Sequence, residues 1–183
     1  MADNWQVIGS RQVGEYVVFS VHEEIKVVPR TGEKKTFFTI GSPDWINIVP
    51  LTTQKTVLMV KQYRHGTKEY CYEFPAGAVE HADESPLETA RREMIEEIGY
   101  DSKNIVSIGL VKPNPALFAN TGFVYLAWDV YNVNGQNLED TEDLEVLEFP
   151  LEDVFSMVAT GKVTHALTIC TIFFLSAYMK SLP

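Results

Sequence analysis

Cysteine and positive charge are what this sequence has least of. It holds 2 cysteines in 183 residues, too few and too far apart for a disulfide framework or a cysteine metal cluster. Cys71 and Cys170 both stand among apolar neighbours, the setting of buried, reduced thiols in a cytoplasmic protein. Lysine and arginine number 15 against 25 aspartates and glutamates, a net charge of −10. A chain this acidic does not hold a nucleic-acid backbone by bulk electrostatics. An anionic ligand would need another source of positive charge, and a divalent cation is the obvious one. The most apolar stretch, Ala166 to Tyr178, contains Thr168 and Thr171 and is shorter than the roughly 20 residues that span a bilayer. It reads as a buried core helix. Met1-Ala2-Asp3-Asn4-Trp5 has neither the basic region nor the apolar run of a signal peptide. Internal repeats and low-complexity segments are lacking too. The expectation is a soluble, cytoplasmic protein with no nucleic-acid or membrane partner.

What is present is a globular composition, 45% hydrophobic and 22% charged, which excludes disorder over most of the chain. The length suits one domain with a small appendage. The first part reads as strands, at Tyr16–Val21 and Thr36–Ile40, with a polar turn over Arg30–Lys35 between them. Gly41-Ser42-Pro43-Asp44 then punctuates the chain. A β-rich arm over residues 1–44 followed by a main domain over 45–183 is expected. The arm is too short to bury much alone, so it packs on the main domain or on a second subunit. Further strands are expected at Trp45–Val49, Val57–Val60, Tyr70–Phe74, Ile105–Val111, Phe123–Tyr131 and Glu145–Phe149. Helices are expected at Pro86–Ile98, Leu151–Ala159 and His165–Lys180. Strands with helices on both sides imply an α/β/α sandwich.

The segment Ser85–Gly99 is the most informative. Ser85 and Glu88 have capping-box spacing, Pro86 falls at the first helical position, and Gly99 sits where a helix would stop. Leu87, Ala90, Met94 and Ile98 form one apolar stripe. The charges run the wrong way for a free helix. Glu93, Glu96 and Glu97 crowd the last turns, where each carboxylate costs about 0.3–1 kcal/mol against the helix dipole. Glu93 and Glu97 also repel as i, i+4 neighbours. Two readings are open at this level. One is a solvated charged face. The other is a pair of carboxylates presented to Mg²⁺, a hard cation that prefers oxygen.

The surrounding residues resemble the Nudix box, G-x5-E-x7-R-E-U-x-E-E-x-G-U with U apolar. Gly77, Glu84 and Arg92-Glu93-Met94-Ile95-Glu96-Glu97-Ile98-Gly99-Tyr100 follow it, except that six residues, not five, separate Gly77 from Glu84. Either the loop carries one extra residue or Asp83 takes the glutamate's place. Glu73-Phe74-Pro75-Ala76-Gly77, Gln62-Tyr63-Arg64, Pro113-Asn114-Pro115-Ala116 and His165-Ala166-Leu167 are similar to the ADP-ribose pyrophosphatase and nucleoside-diphosphate-sugar hydrolase branch of that family.

The resemblance implies a Nudix α/β/α sandwich with a mixed sheet, and a homodimer built through the arm. It implies Mg²⁺-dependent hydrolysis (or Mn²⁺, with more than one ion) of a nucleotide-sugar pyrophosphate to a nucleoside monophosphate and a sugar phosphate. Glu93, Glu97 and the Ala76 carbonyl carry over as metal ligands, and Glu96 as a ligand or its support. Arg92 would orient the glutamates. Arg64 would bind phosphate, and Glu73 would contact a ribose or position its loop. The base, and a further metal ligand, is expected in the late acidic run Glu139–Glu145, with Glu142 first and Asp140 next. Trp5, Phe19 and Trp45 are candidates for stacking on the base, though core packing suits each. His65, His81 and His165 are expected to be structural or exposed. Hydrolysis of nucleoside triphosphates or of coenzyme A, and a sensor that binds without cleaving, are the alternatives.

Overall fold

The computed structural model describes residues 4–80, 85–133, 135–138 and 143–182. The chain divides into two compact units, residues 1–43 with 112–121, and residues 44–111 with 122–183.

The first unit is an antiparallel sheet of β1 (Gln6–Glu15), β2 (Ser20–Val27) and β3 (Lys34–Gly41), in that order. The expected strand at Thr36–Ile40 lies within β3. The one expected at Tyr16–Val21 does not form as such. Tyr16 to Phe19 make a tight connection, closed by the Tyr16 N–H on the Phe19 carbonyl at 2.9 Å, and β2 begins after it. β1 itself gives little signal in the sequence, because register shifts at Val7/Gly9 and Gln12/Gly14 break the two-residue alternation that marks a strand. The segment 112–121 is fastened to β3 at Ile40, whose N–H donates to the Leu117 carbonyl at 2.7 Å.

The second unit carries β4 (Trp45–Pro50), β5 (Thr56–Arg64), β6 (Glu69–Glu73), β7 (Ala76–Ala78), α1 (Pro86–Ile98), β8 (Tyr100–Asp101), β9 (Asn104–Val111), β10 (Gly122–Trp128), β11 (Tyr131–Asn132), β12 (Leu144–Pro150), α2 (Leu151–Ala159) and α3 (Ala166–Ser181). One sheet has the order β7-β4-β10-β9 and a second β12-β5-β6, with β8 and β11 paired apart. In the first sheet β4 and β10 run parallel while β10–β9 and β4–β7 run antiparallel, so it is mixed.

Alternation along the strands builds two cores. Ile46, Ile48, Leu58 and Val60 pack with Ala90, Met94 and Ile98 of α1. Their neighbours Val49, Val57 and Met59 pack instead with Val154 and Met157 of α2 and Ile172 and Leu175 of α3. Successive strand side chains point to opposite faces, and helices on both faces leave no wet side, so these strands read as continuous apolar runs. The α/β/α layering expected from the sequence is present. Among the described residues no helix is long and apolar enough to cross a membrane.

Candidate active site

α1 is set by its ends. Ser85 is extended (φ −159°, ψ 158°), and its hydroxyl accepts from the Glu88 N–H. Pro86 opens the helix. Gly99 closes it in the left-handed region (φ 72°), with its N–H on the Ile95 carbonyl at 2.9 Å. No basic residue occupies the last turn. The terminal carbonyls are met from elsewhere: the Gln136 side-chain amide donates to the Glu97 carbonyl at 2.8 Å, and the Asn137 N–H to that of Glu96 at 2.8 Å. Arg91 grips Asp101 through two bonds of 2.8 and 2.6 Å just beyond the helix and holds that carboxyl below its usual range. Leu87 shares the apolar face but stands in the first turn, where it is 41% exposed.

Glu93 and Glu97 fall on the inner side with Met94 and Ile98, only 9% and 3% exposed. The Ala76 N–H donates to Glu97 Oε2 at 3.1 Å. Arg92 Nη1 lies 3.0 Å from Glu93 Oε1 and 2.9 Å from Glu96 Oε2. Gly77 is packed so closely on Glu93 that a Cβ there would overlap the carboxylate. A larger residue at this point would have to displace Glu93; the constraint is one of space, not of an unusual dihedral.

Glu93, Glu96, Glu97, Ala76 and Gly77 line one cavity of about 230 Å³ together with Trp45, Gln62, Arg64, Ala78 and Glu80. Arg64 is oriented by Glu73: Nε donates to Oε1 and Nη2 to Oε2, both at 2.6 Å. The Glu73 side chain has no exposed surface, and His165 Nδ1 lies 3.0 Å from its Oε2. Burial alone would raise the Glu73 pKa. The bonds from Arg64 and His165 outweigh it and hold the group at about 2. With no exposed surface, Glu73 is turned wholly to Arg64 and His165.

The structure thus brings together Glu93, Glu96, Glu97, Ala76 and Arg64, with Arg92 on the glutamates. Trp45 lines the cavity, whereas Trp5 and Phe19 belong to the first unit and are exposed. Asp140, Glu142, Glu84, Asp83 and His81 lie outside the described residues. The segments on either side of 139–142 do border the site: Asn137 is bonded to Glu96, and Leu144 pairs with Gln62. Sequence reasoning missed the capping role of Gln136 and Asn137 and the cavity position of Glu80. It also missed the Arg64–Glu73 pairing, because nothing in a sequence says which arginine a buried glutamate will meet.

The donor set is all oxygen, which suits a hard divalent ion. Among the described residues no three Asp, Glu, His or Cys side chains close into a metal cage by themselves. Arg92 lies against two of the carboxylates, and the backbone of Ala76 stands beside the third. An all-oxygen set that does not close by itself suits a divalent ion that keeps part of its water shell.

The α/β domain sets the carboxylates of one helix against a glycine-bearing strand, a group of oxygen donors suited to a hard cation. The NUDIX domain matches residues 43–169, and the chain belongs to that family. It is 28% identical over 171 residues to the ADP-ribose pyrophosphatase of Bacillus subtilis, covering 93% of this chain and 91% of the relative. It is 30% identical over 169 residues to the ADP-sugar pyrophosphatase of Mus musculus, covering 83% and 76%. A solved ADP compounds hydrolase shares the fold at a TM-score of 0.85 and 19% identity, covering 96% of this chain and 94% of its own. The protein is an enzyme, a Nudix pyrophosphohydrolase.

Proposed function

We propose that the enzyme hydrolyses the pyrophosphate of ADP-ribose or of related nucleoside-diphosphate sugars, with Mg²⁺ as cofactor, releasing a nucleoside monophosphate and a sugar phosphate. The observation that carries this reading is the single cavity shared by Glu93, Glu96, Glu97, Ala76 and Arg64. The relatives named for ADP-ribose and ADP-sugar cleavage favour this substrate class.

Glu93, Glu97 and the Ala76 carbonyl would hold the ions, with Glu96 as ligand or support. Bound there, Mg²⁺ or Mn²⁺ would neutralise the pyrophosphate, acidify a water and stabilise the leaving oxygen. Arg64 presents a planar guanidinium suited to a pair of phosphate oxygens. Arg92 ties Glu93 and Glu96 to one guanidinium nitrogen and so orients them. Trp45 offers a flat face to the base. Glu142, or Asp140 in its place, accepts a proton from the attacking water. That water's oxygen bonds to one phosphorus, and the bridging oxygen leaves with the other. A carboxylate beside metal charge stays ionised near neutral pH and so remains able to act as a base.

Product analysis tests the reading. Purified protein is incubated with ADP-ribose, several nucleoside-diphosphate sugars, nucleoside triphosphates and coenzyme A, with Mg²⁺ and with chelator. Monophosphate plus sugar phosphate, formed only with metal, supports it. Pyrophosphate from triphosphates alone overturns the substrate class. Tight binding without turnover of any compound moves the protein to a sensing role.

A homodimer formed through the N-terminal sheet, working in the cytoplasm, belongs to the same reading. Tyr16, Val17 and Val18 at its hairpin are exposed apolar residues. Light scattering of the whole chain, against a variant with Val17 and Val18 both changed to Ser, tests it.

A further inference from the structure

We propose that His165 is a positioning residue for the phosphate-binding arginine: it holds the Glu73 carboxylate, and Glu73 in turn fixes the direction of Arg64. The inference rests on the reading of Arg64 as a phosphate ligand.

Three elements meet here. Arg64 ends β5, Glu73 ends β6, and His165 stands at the N-cap position of α3 without a side-chain capping bond. A carboxylate with no exposed surface must have its oxygens satisfied inside the protein. Arg64 supplies one bond to each oxygen, and His165 faces Oε2 at 3.0 Å. A carboxylate oxygen only accepts, so the proton sits on His165 Nδ1, and the neutral ring suffices. Thr168 Oγ1 lies 2.9 Å from the same nitrogen and, with Nδ1 protonated, shares that N–H as a second acceptor.

The need for such an anchor follows from what else lines the cavity. Arg64 is 35% exposed and shares the space with Glu93, Glu96 and Glu97. A long, unanchored guanidinium beside three carboxylates would fold onto them. It would then be lost to phosphate and would mask the metal donors. Glu73 outcompetes that collapse by holding both forks of the guanidinium, and His165 keeps Glu73 aimed.

The test is steady-state kinetics with ADP-ribose and Mg²⁺ on His165→Ala, His165→Asn and His165→Gln, in the wild-type and Arg64→Ala backgrounds. Asn places its amide nitrogen near the position of Nδ1, whereas Gln reaches toward that of Nε2. His165→Ala should raise KM about tenfold, the effect of losing one hydrogen bond to a charged group, with kcat within about threefold. Asn should restore KM to within about threefold, and Gln should resemble Ala. In the Arg64→Ala background the His165 changes should have no further effect, because coupled residues are not additive. Unchanged KM in His165→Ala, or an equal KM rise without Arg64, overturns the proposal. If Ala does not fold, the contrast between Asn and Gln carries the test, and equal KM values there overturn it. If wild type leaves ADP-ribose intact, the substrate reading falls alone. Calorimetric titration with inorganic pyrophosphate and Mg²⁺ then reads the same contrast: weaker binding in Gln than in Asn supports the anchor, and equal binding or none overturns it.

Discussion

Gly77 and Glu93 stand so close that a methyl group on the glycine would take the space of the carboxylate. The short strand β7 and the carboxylate row of α1 are fitted to each other at this point, and the cavity depends on that fit.

Gly77→Ala should therefore displace Glu93. Overpacking of this kind costs about 1–3 kcal/mol, so the fold should survive with a lowered Tm. Turnover should fall by at least about tenfold. Thermal unfolding and kcat on one preparation check both. A variant with wild-type turnover would mean that Glu93 can move without consequence.

Glu97→Gln removes a charge but not a packing group. Its amide oxygen can still accept the Ala76 N–H. Relief of the Glu93–Glu97 repulsion should leave the metal-free Tm equal or higher, while kcat falls by on the order of 10²-fold. Circular dichroism and a Mg²⁺ titration of activity separate the two effects. Unchanged turnover would remove Glu97 from the metal set.

Glu142→Gln should lower kcat more than it raises KM, since a base acts on the reacting water and not on the bound substrate. Asp140→Asn should be mild. The reverse order, read from kcat at saturating ADP-ribose, would exchange their roles.

Glu73 titrates at about 2 in the fold against an ordinary 4.5. A depressed carboxylate contributes stability that is complete above 4.5 and lost as pH falls from there toward 2. The contribution is on the order of 3 kcal/mol. Urea unfolding from pH 5 to 2.5 should show this loss. Glu73→Gln should be less stable at neutral pH, because it leaves a half-buried Arg64 poorly paired, and flatter across the acid window. Equal slopes for the two proteins would mean that the Glu73 ion pair contributes nothing.

The parts of the fold legible in the sequence are those encoded locally. α1 was readable to the residue because Ser85, Pro86 and Gly99 mark its ends, and Leu151–Ala159 was equally clear. The central strands announced themselves as apolar runs. The N-terminal hairpin did not, because bulges interrupt β1 and the apolar Tyr16–Phe19 lies in the connection, not in a strand. At the site, the unfavourable place of the glutamates on a helix left two readings open, and the resemblance to the Nudix box decided between them. The partners that make them usable were not visible. Arg64 and Glu73 meet across paired strands, His165 arrives 92 residues after Glu73, and Gln136 and Asn137 reach α1 from a loop. Such pairings exist only once the sheets have formed.

The absence of any solvent-facing surface on Glu73 bears on how the enzyme meets changing surroundings. Dissolved ions weaken attraction between exposed charges by crowding around them. They cannot crowd around an oxygen that water does not reach. The grip on Arg64 should persist at salt concentrations that loosen exposed pairs such as Arg11–Glu23. Ionic strength would then ease the repulsion between the anionic nucleotide and this acidic chain without disturbing the guanidinium that receives it.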